Sequence, residues 1–269
     1  MLFAFLRALG LVRVTVAYGA VLTAVTTALT VLGPRVQERV VSHASTNLHN
    51  LSHGHIGTLV ASAIVVDAGP IYIWLPGLMC LLALAELMWG GARLSAAFAG
   101  GHVGATLLVA AGLSATVELG WLSADVTRAT DVGMSYGAVA VLGALTAAIP
   151  LRWRPAWVGW WLVIALVVAA VGRDFTDAGH AVALVLGMAV STRFGPPAPW
   201  NPLRRVMLAV AGAFGFLMLA NTGLPPGAAV GLGLLGAVTA EAAVGRRLSR
   251  RRRPQPSAES ELALTPGVA

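Results

Sequence analysis

The sequence is poor in charged residues: only 11% of its 269 residues are charged, whereas 57% are hydrophobic. A soluble domain carries about 25% charged residues. This shortage excludes a water-soluble globule with a single buried core. The mean hydropathy of +0.80 indicates instead an all-α chain that crosses a membrane several times.

Cysteine and lysine are also scarce. The single cysteine, Cys80, lies inside an apolar segment, which excludes a disulfide framework and a thiolate metal site. Lysine is absent, so all 18 basic residues are arginine. The net charge of +7 does not indicate a nucleic-acid partner, because six arginines lie within the last two dozen residues. We expect no metal and no cofactor. No cleavable signal peptide is expected either, because the first apolar stretch is long and lacks a small-residue cleavage site.

Apolar runs of about 20 residues predict eight membrane spans. Between the first two runs, residues 34–54 read as a polar loop and 55–66 as a short re-entrant or interfacial piece. The tail, 246–269, is rich in Arg and then polar, which indicates disorder. The predicted spans are 14–33, 71–90, 98–119, 131–149, 156–172, 177–193, 204–221 and 225–244.

Arginine placement predicts the orientation, because Arg-rich loops stay in the cytoplasm. If the N-terminus is cytoplasmic, the opposite side receives only Arg35, Arg39, Arg128 and Arg173. We therefore expect a multi-pass protein of the cell membrane with both termini in the cytoplasm. The cytoplasmic side would hold Arg7, Arg13, Arg93, Arg152, Arg154, Arg193, Arg204, Arg205, Arg246, Arg247 and Arg250 to Arg253.

Two polar residues, Ser135 and His180, open apolar spans near their predicted outer ends. Polar groups at membrane depth are costly, so each suggests a function. The spans also carry small residues that allow close helix contact: Gly133, Gly137, Ala140 and Gly143 around the serine, and Gly179, Ala183 and Gly187 around the histidine. We expect the fourth and sixth spans to touch through Gly137, Gly143, Ala183 and Gly187. A serine beside a histidine base is the minimum unit of nucleophilic catalysis.

With these motifs, the sequence resembles the rhomboid intramembrane serine proteases. Their fourth span carries Gly-x-Ser-Gly with another Gly eight residues after the Ser; here Gly133, Ser135 and Gly143 correspond. Their sixth span carries a His followed by glycines at +3 and +7, which His180 and Gly187 match. Their second span ends in a Glu followed four residues later by a Gly, like Glu86 and Gly90.

Three departures from the family pattern stand out. Tyr136 replaces the glycine after the nucleophile, with Gly137 one place later, and Ala183 replaces the first glycine after the histidine. The family's second span begins with a His and an Asn that hold the oxyanion, whereas residues 67–76 contain neither.

The resemblance covers about residues 14–195. It implies a rhomboid-like six-span core over 1–195, two additional spans over 196–245, and a cytoplasmic tail over 246–269. It also implies a protease that cleaves membrane-embedded or juxtamembrane peptide, with Ser135 as nucleophile and His180 as base. Its partners would be a transmembrane substrate or client and membrane lipids. The alternative is an inactive relative that binds transmembrane segments in the same cleft. A transporter is disfavoured, since the spans carry few ionisable residues and no paired broken helices.

Other polar groups leave alternatives open. Asp177 could orient the His180 imidazole or cap a helix N-terminus, and Asp131 has the same ambiguity before Ser135. His102, in the third span, either bonds a facing backbone or hydroxyl group or has a functional role. Glu86 is expected to meet Arg93 or a backbone amide. In the first outer loop a solvated role is favoured over metal binding for His43, His49, His53 and His55.

Overall fold

A computed structural model describes residues 10–66, 71–172, 174–220 and 225–251. Within these ranges every regular element is helical. The helices that correspond to the eight predicted spans are α1 (Arg13–Leu32), α5 (Ile71–Trp89), α6 (Gly91–Glu118), α7 (Ser135–Ala144), α8 (Arg154–Gly172), α9 (Phe175–Ser191), α10 (Pro202–Leu219) and α11 (Pro226–Arg251). Shorter helices, α2 (Pro34–Ala44), α3 (Leu48–Ser52) and α4 (Thr58–Ala61), follow α1, and 3-10 turns cover Ala124–Arg128 and Leu145–Ala147.

Six of these helices are long and apolar enough to cross a membrane: α1, α5, α6, α8, α10 and α11. The other two helices at predicted spans, α7 and α9, are apolar but shorter. The protein is therefore an all-α multi-pass membrane protein, as the composition predicts.

Several boundaries differ from the sequence-based prediction. The predicted polar loop over 34–54 contains the helix α2, which starts with Pro34 at a position where proline is pre-organised for a helix. The predicted interfacial piece over 55–66 holds only the single turn of α4. At the C-terminus, α11 continues through Arg251, so the predicted disorder of 246–251 is wrong, while 252–269 lie outside the described residues.

Helix α7 lies at the centre of the molecule. Every residue from Tyr136 to Ala144 is buried, and α5, α6, α9 and α10 all contact the helix. The core around it consists of fully buried leucines and isoleucine, including Leu78, Leu84, Leu142, Leu184 and Ile164. The most buried helix of the fold is therefore the one that begins with Ser135.

Glu86 ties the first span to this core. Its buried carboxylate accepts hydrogen bonds from the backbone amides of Val14 (3.0 Å) and Thr15 (2.8 Å), and from the Thr15 hydroxyl (2.7 Å). The first amides of a helix have no partner inside the helix, and negative charge is favourable there. Glu86 thus caps α1. Of the two partners expected for Glu86, Arg93 or a backbone amide, the backbone amide is the one observed.

Candidate active site

Ser135 is the first residue of α7, and the turn before it is held by three hydrogen bonds. The amide of Asp131 donates to the Ser45 hydroxyl (2.9 Å), and the Asp131 carbonyl accepts from the Thr46 amide (3.0 Å). The Gly133 amide donates to the Ser62 carbonyl (2.7 Å). Gly133 has φ +125°, a conformation that side chains disfavour. The segment after α1 therefore fixes the direction in which the chain enters α7.

The helices α7 and α9 run parallel and touch in two places. Toward the C-terminal ends of both helices, a Cβ added to Gly143 would strike the Leu184 carbonyl, and one added to Gly187 would strike the Ala140 carbonyl. Near the N-terminal ends, the Tyr136 ring occupies the space beside Gly179. Since Ser135 and His180 are the chain neighbours of Tyr136 and Gly179, they lie in the same layer of the bundle.

His180 presents an unused nitrogen in this layer. Its ring packs edge-on against Tyr136, with 5.4 Å between the ring centroids. The Nε2 atom is buried and has no hydrogen-bond partner in the described part of the chain. Ser135 therefore does not donate to Nε2 here. A buried, unpaired ring nitrogen is costly unless water or a ligand meets it.

The other two small residues of the predicted contact are Ala183 and Gly137. Ala183 is fully buried on α9. Gly137 faces the ring of Phe98 in α6, so its open side serves the contact with the third span and not the predicted contact with the sixth. The aromatic ring that takes this space also packs against Tyr18 of α1, at 4.9 Å between centroids.

Neither Asp177 nor Asp131 caps a helix N-terminus. The residue that caps α9 is Asp174, whose carboxylate accepts from the Thr176 amide (3.0 Å). The capping alternative for Asp177 is therefore wrong; its side chain is buried in the first turn, and Oδ2 has no partner among the described residues. Asp131 does not cap α7 either, because Met134 holds that position.

Asp131 carries an unusual proton affinity. Burial, assisted by the nearby charge of Asp174, raises the pKa of Asp131 from 3.8 to about 6. Desolvation disfavours the charged carboxylate, and a second negative charge acts in the same direction. The turn before Ser135 can therefore change charge near neutral pH.

Ser62 and His102 form a buried serine–histidine pair near Tyr136. The Ser62 hydroxyl is 3.0 Å from Nε2 of His102, and both residues are buried. The His102 ring also stacks on Phe98 and lies 6.3 Å from the Tyr136 ring. The hydroxyl alternative for His102 is thus observed. Sequence reasoning missed Ser62, since its loop carries no motif and its partner is 40 residues away.

Several buried polar atoms around these rings have no partner among the described residues. They belong to α6, α7 and α9, which pack against one another. Buried polar groups without protein partners are typical of sites that hold water or ligand. The atoms are His102 Nδ1, Thr106 Oγ1, Tyr136 Oη, Asp177 Oδ2 and His180 Nε2.

The outer-loop histidines bond locally. Nδ1 of His43 lies 2.7 Å from the Arg39 carbonyl, and Nδ1 of His53 lies 2.7 Å from the His49 carbonyl. No group of three or more potential metal ligands occurs in the part of the chain that the structure describes. Residues 67–70, at the start of the region compared with the oxyanion-binding segment, lie outside it.

Similarity to known proteins assigns the chain to a family. No curated protein and no solved structure matches this chain. A family model described as rhomboid-like protein matches residues 10–194, well over half of the chain. All the site residues described above lie within this range, and α10 and α11 follow it. The protein belongs to the rhomboid-like family.

Proposed function

We propose that the protein is an intramembrane serine protease in which Ser135 is the nucleophile and His180 the base. The observation that carries this proposal is the buried, unpartnered Nε2 of His180, in the same helix layer as Ser135. In unliganded sites the catalytic hydrogen bond is often long and shortens only when substrate binds.

Acylation and deacylation each require two proton transfers. Ser135 Oγ attacks the peptide carbonyl carbon while its proton passes to His180 Nε2. The C–N bond then breaks, and the imidazolium returns the proton to the leaving amine. In deacylation the same imidazole takes a proton from water as the water attacks the acyl carbon; the ester bond to Ser135 Oγ then breaks, and the imidazolium returns the proton to Oγ.

The oxyanion needs hydrogen-bond donors near Ser135. No side chain caps the N-terminus of α7, and the first amides of a helix lack partners inside it. Residues 71–76 contain no His or Asn that could hold the oxyanion, so these amides supply the donors instead. Loss of one donor costs about 3 kcal/mol of transition-state stabilisation, so we expect slow turnover.

The substrate is a transmembrane protein cleaved within or beside the bilayer. The arginine distribution supports cytoplasmic termini in the cell membrane, which puts Ser135 near the outer face. The enzyme would thus act on segments that enter from that side, in contact with membrane lipids.

Labelling by a fluorophosphonate tests the proposal. The purified full-length protein should react, and peptide mapping should find the adduct on Ser135. Ser135→Ala should abolish labelling and proteolysis while leaving the melting temperature unchanged, because the hydroxyl contributes little packing. Ser123→Ala, in a loop, is the matched control and should label like the parent.

Two results would count against the proposal. An adduct on Ser62 would transfer the nucleophilic role to the Ser62–His102 pair. Absence of any adduct on the folded protein would leave a rhomboid-like protein that binds transmembrane segments without cleaving them.

A further inference from the structure

The helices α8 and α11 are pinned together by a pair of glycines. A Cβ added to Gly159 would strike the Gly236 carbonyl, and one added to Gly236 would strike the Gly159 carbonyl. The Cβ of Ala240 would lie 2.7 Å from a Cβ on Gly159. Helices approach this closely only where both surfaces lack side chains.

Beyond this contact, toward the start of α8 and the end of α11, the two helices line a groove of about 480 Å³. One wall comes from Arg154, Pro155 and Val158, and the other from Ala240, Ala243 and Arg247. Each set follows the spacing of one helix face. The walls are apolar apart from the two arginines, and none of the residues that line the groove is acidic.

The open end of the groove has the features of a membrane interface. Leu151 and Trp153, just before α8, are 76% and 55% exposed. Arg152 stacks over the Trp153 ring, 5.5 Å from its centroid. Exposed tryptophan together with arginine is typical of the headgroup level of a bilayer. The arginine end of the groove thus lies where lipid headgroups lie, and its apolar walls extend toward the acyl chains.

The charge at this end has no acidic counterpart in the groove. Arg154 donates to the carbonyls of Ala147 and Ile149, which are neutral, at 3.0 to 3.3 Å. Arg247 is exposed on the facing helix. Two guanidinium groups on opposite walls favour a ligand with negative charge.

We propose that this groove binds one anionic phospholipid. Its headgroup contacts Arg154 and Arg247, and one acyl chain lies along Val158, Ala240 and Ala243. A free phosphate would use only the arginines and leave the apolar walls empty, so the walls favour a lipid. The site is independent of the proposed protease activity, which would lie at the opposite ends of the helices.

Lipid binding to the full-length protein in detergent tests the site. Native mass spectrometry and thermal unfolding should be followed while phosphatidylglycerol or phosphatidylcholine is added. We expect phosphatidylglycerol to bind about 25-fold more tightly, since each of the two arginines near the headgroup contributes about 1 kcal/mol, or about fivefold. It should raise the melting temperature correspondingly, and inorganic phosphate should not.

Two variants separate the charge from the groove. Arg247→Gln should lower the preference for phosphatidylglycerol about fivefold, and Ala243→Trp should fill the groove and weaken binding of both lipids. The matched controls are Arg205→Gln and Ala213→Trp, which alter exposed residues of α10 and should bind like the parent. Equal binding of both lipids by the parent, or unchanged binding by both groove variants, would overturn the proposal.

Discussion

The contact between α7 and α9 should be the part of the fold most sensitive to added volume. Gly143 sits over the turn of α9 that contains Leu184 and Met188. A Cβ at this position would overlap the Leu184 carbonyl oxygen and lie 3.1 Å from Leu184 C and 3.2 Å from Met188 N. These atoms belong to the backbone of a packed helix, so they cannot rotate away as a side chain can.

The expected cost follows from two opposing terms. Overpacking a rigid contact costs about 1–3 kcal/mol, and replacing a helical glycine by alanine gains about 1 kcal/mol. Gly143→Ala should therefore be neutral to destabilising by about 2 kcal/mol, and Gly143→Leu should cost more. In α10, Gly212 has no atom within 4 Å of its Cβ position, so the same substitutions there should be tolerated.

Thermal unfolding in detergent measures the difference. Gly143→Leu should melt well below Gly212→Leu, by roughly 4–16 °C for a difference of about 2–4 kcal/mol. The double variant Gly143→Ala with Gly187→Ala adds a check, because both changes separate the same helix pair. Its cost should be smaller than the sum of the single costs.

Equal melting temperatures for Gly143→Leu and Gly212→Leu would refute this account of the interface. Strict additivity of the two alanine variants would show that Gly143 and Gly187 act at separate contacts.

Three further predictions concern α1, the turn before Ser135 and the orientation. Glu86→Ala should cost about 3–5 kcal/mol in denaturant unfolding, because the amides of Val14 and Thr15 and the Thr15 hydroxyl lose their acceptor; an unchanged midpoint would contradict the cap. The folded pKa of Asp131, about 6, exceeds its ordinary value of 3.8, so stability should fall as pH rises from about 4 to 6 and then stay level. The melting temperature of Asp131→Asn should not show this fall with pH. Identical pH profiles for the parent and the variant would refute the raised pKa of Asp131. With Cys80 replaced, Ser249→Cys should not be labelled by an impermeant maleimide on intact cells. Labelling from outside would contradict the predicted cytoplasmic C-terminus.

The sequence predicts the long helices well because each is a continuous apolar run. It is less successful for α7, which was predicted over 131–149, because nothing in the apolar composition marks Ser135 as the start of the helix. The boundary is set by the positive φ of Gly133 and by backbone hydrogen bonds that Asp131 and Gly133 make with Ser45, Thr46 and Ser62, all of which are distant in sequence. Helix α2 was missed because a search for long apolar runs overlooks an 11-residue amphipathic helix.

The sequence predicts individual residues of the candidate site but not all the contacts between them. Local motifs identify Ser135 and His180, and the small residues at Gly143 and Gly187 predict where their helices meet. The Ser62–His102 pair joins a loop without a motif to a lone histidine, and Glu86 finds partners 71 and 72 residues away. Such pairings depend on tertiary contacts, which no short pattern encodes.

The shortness of α7 has a consequence for biosynthesis. Ten helical residues span about 15 Å, half of a bilayer core of about 30 Å. During synthesis α7 emerges before α9 and α10, which later cover it, so it cannot settle in lipid as a lone span without stretching or leaving polar turns in hydrocarbon. We therefore expect α6 and α7 to stay sheltered from lipid during synthesis until the following helices arrive.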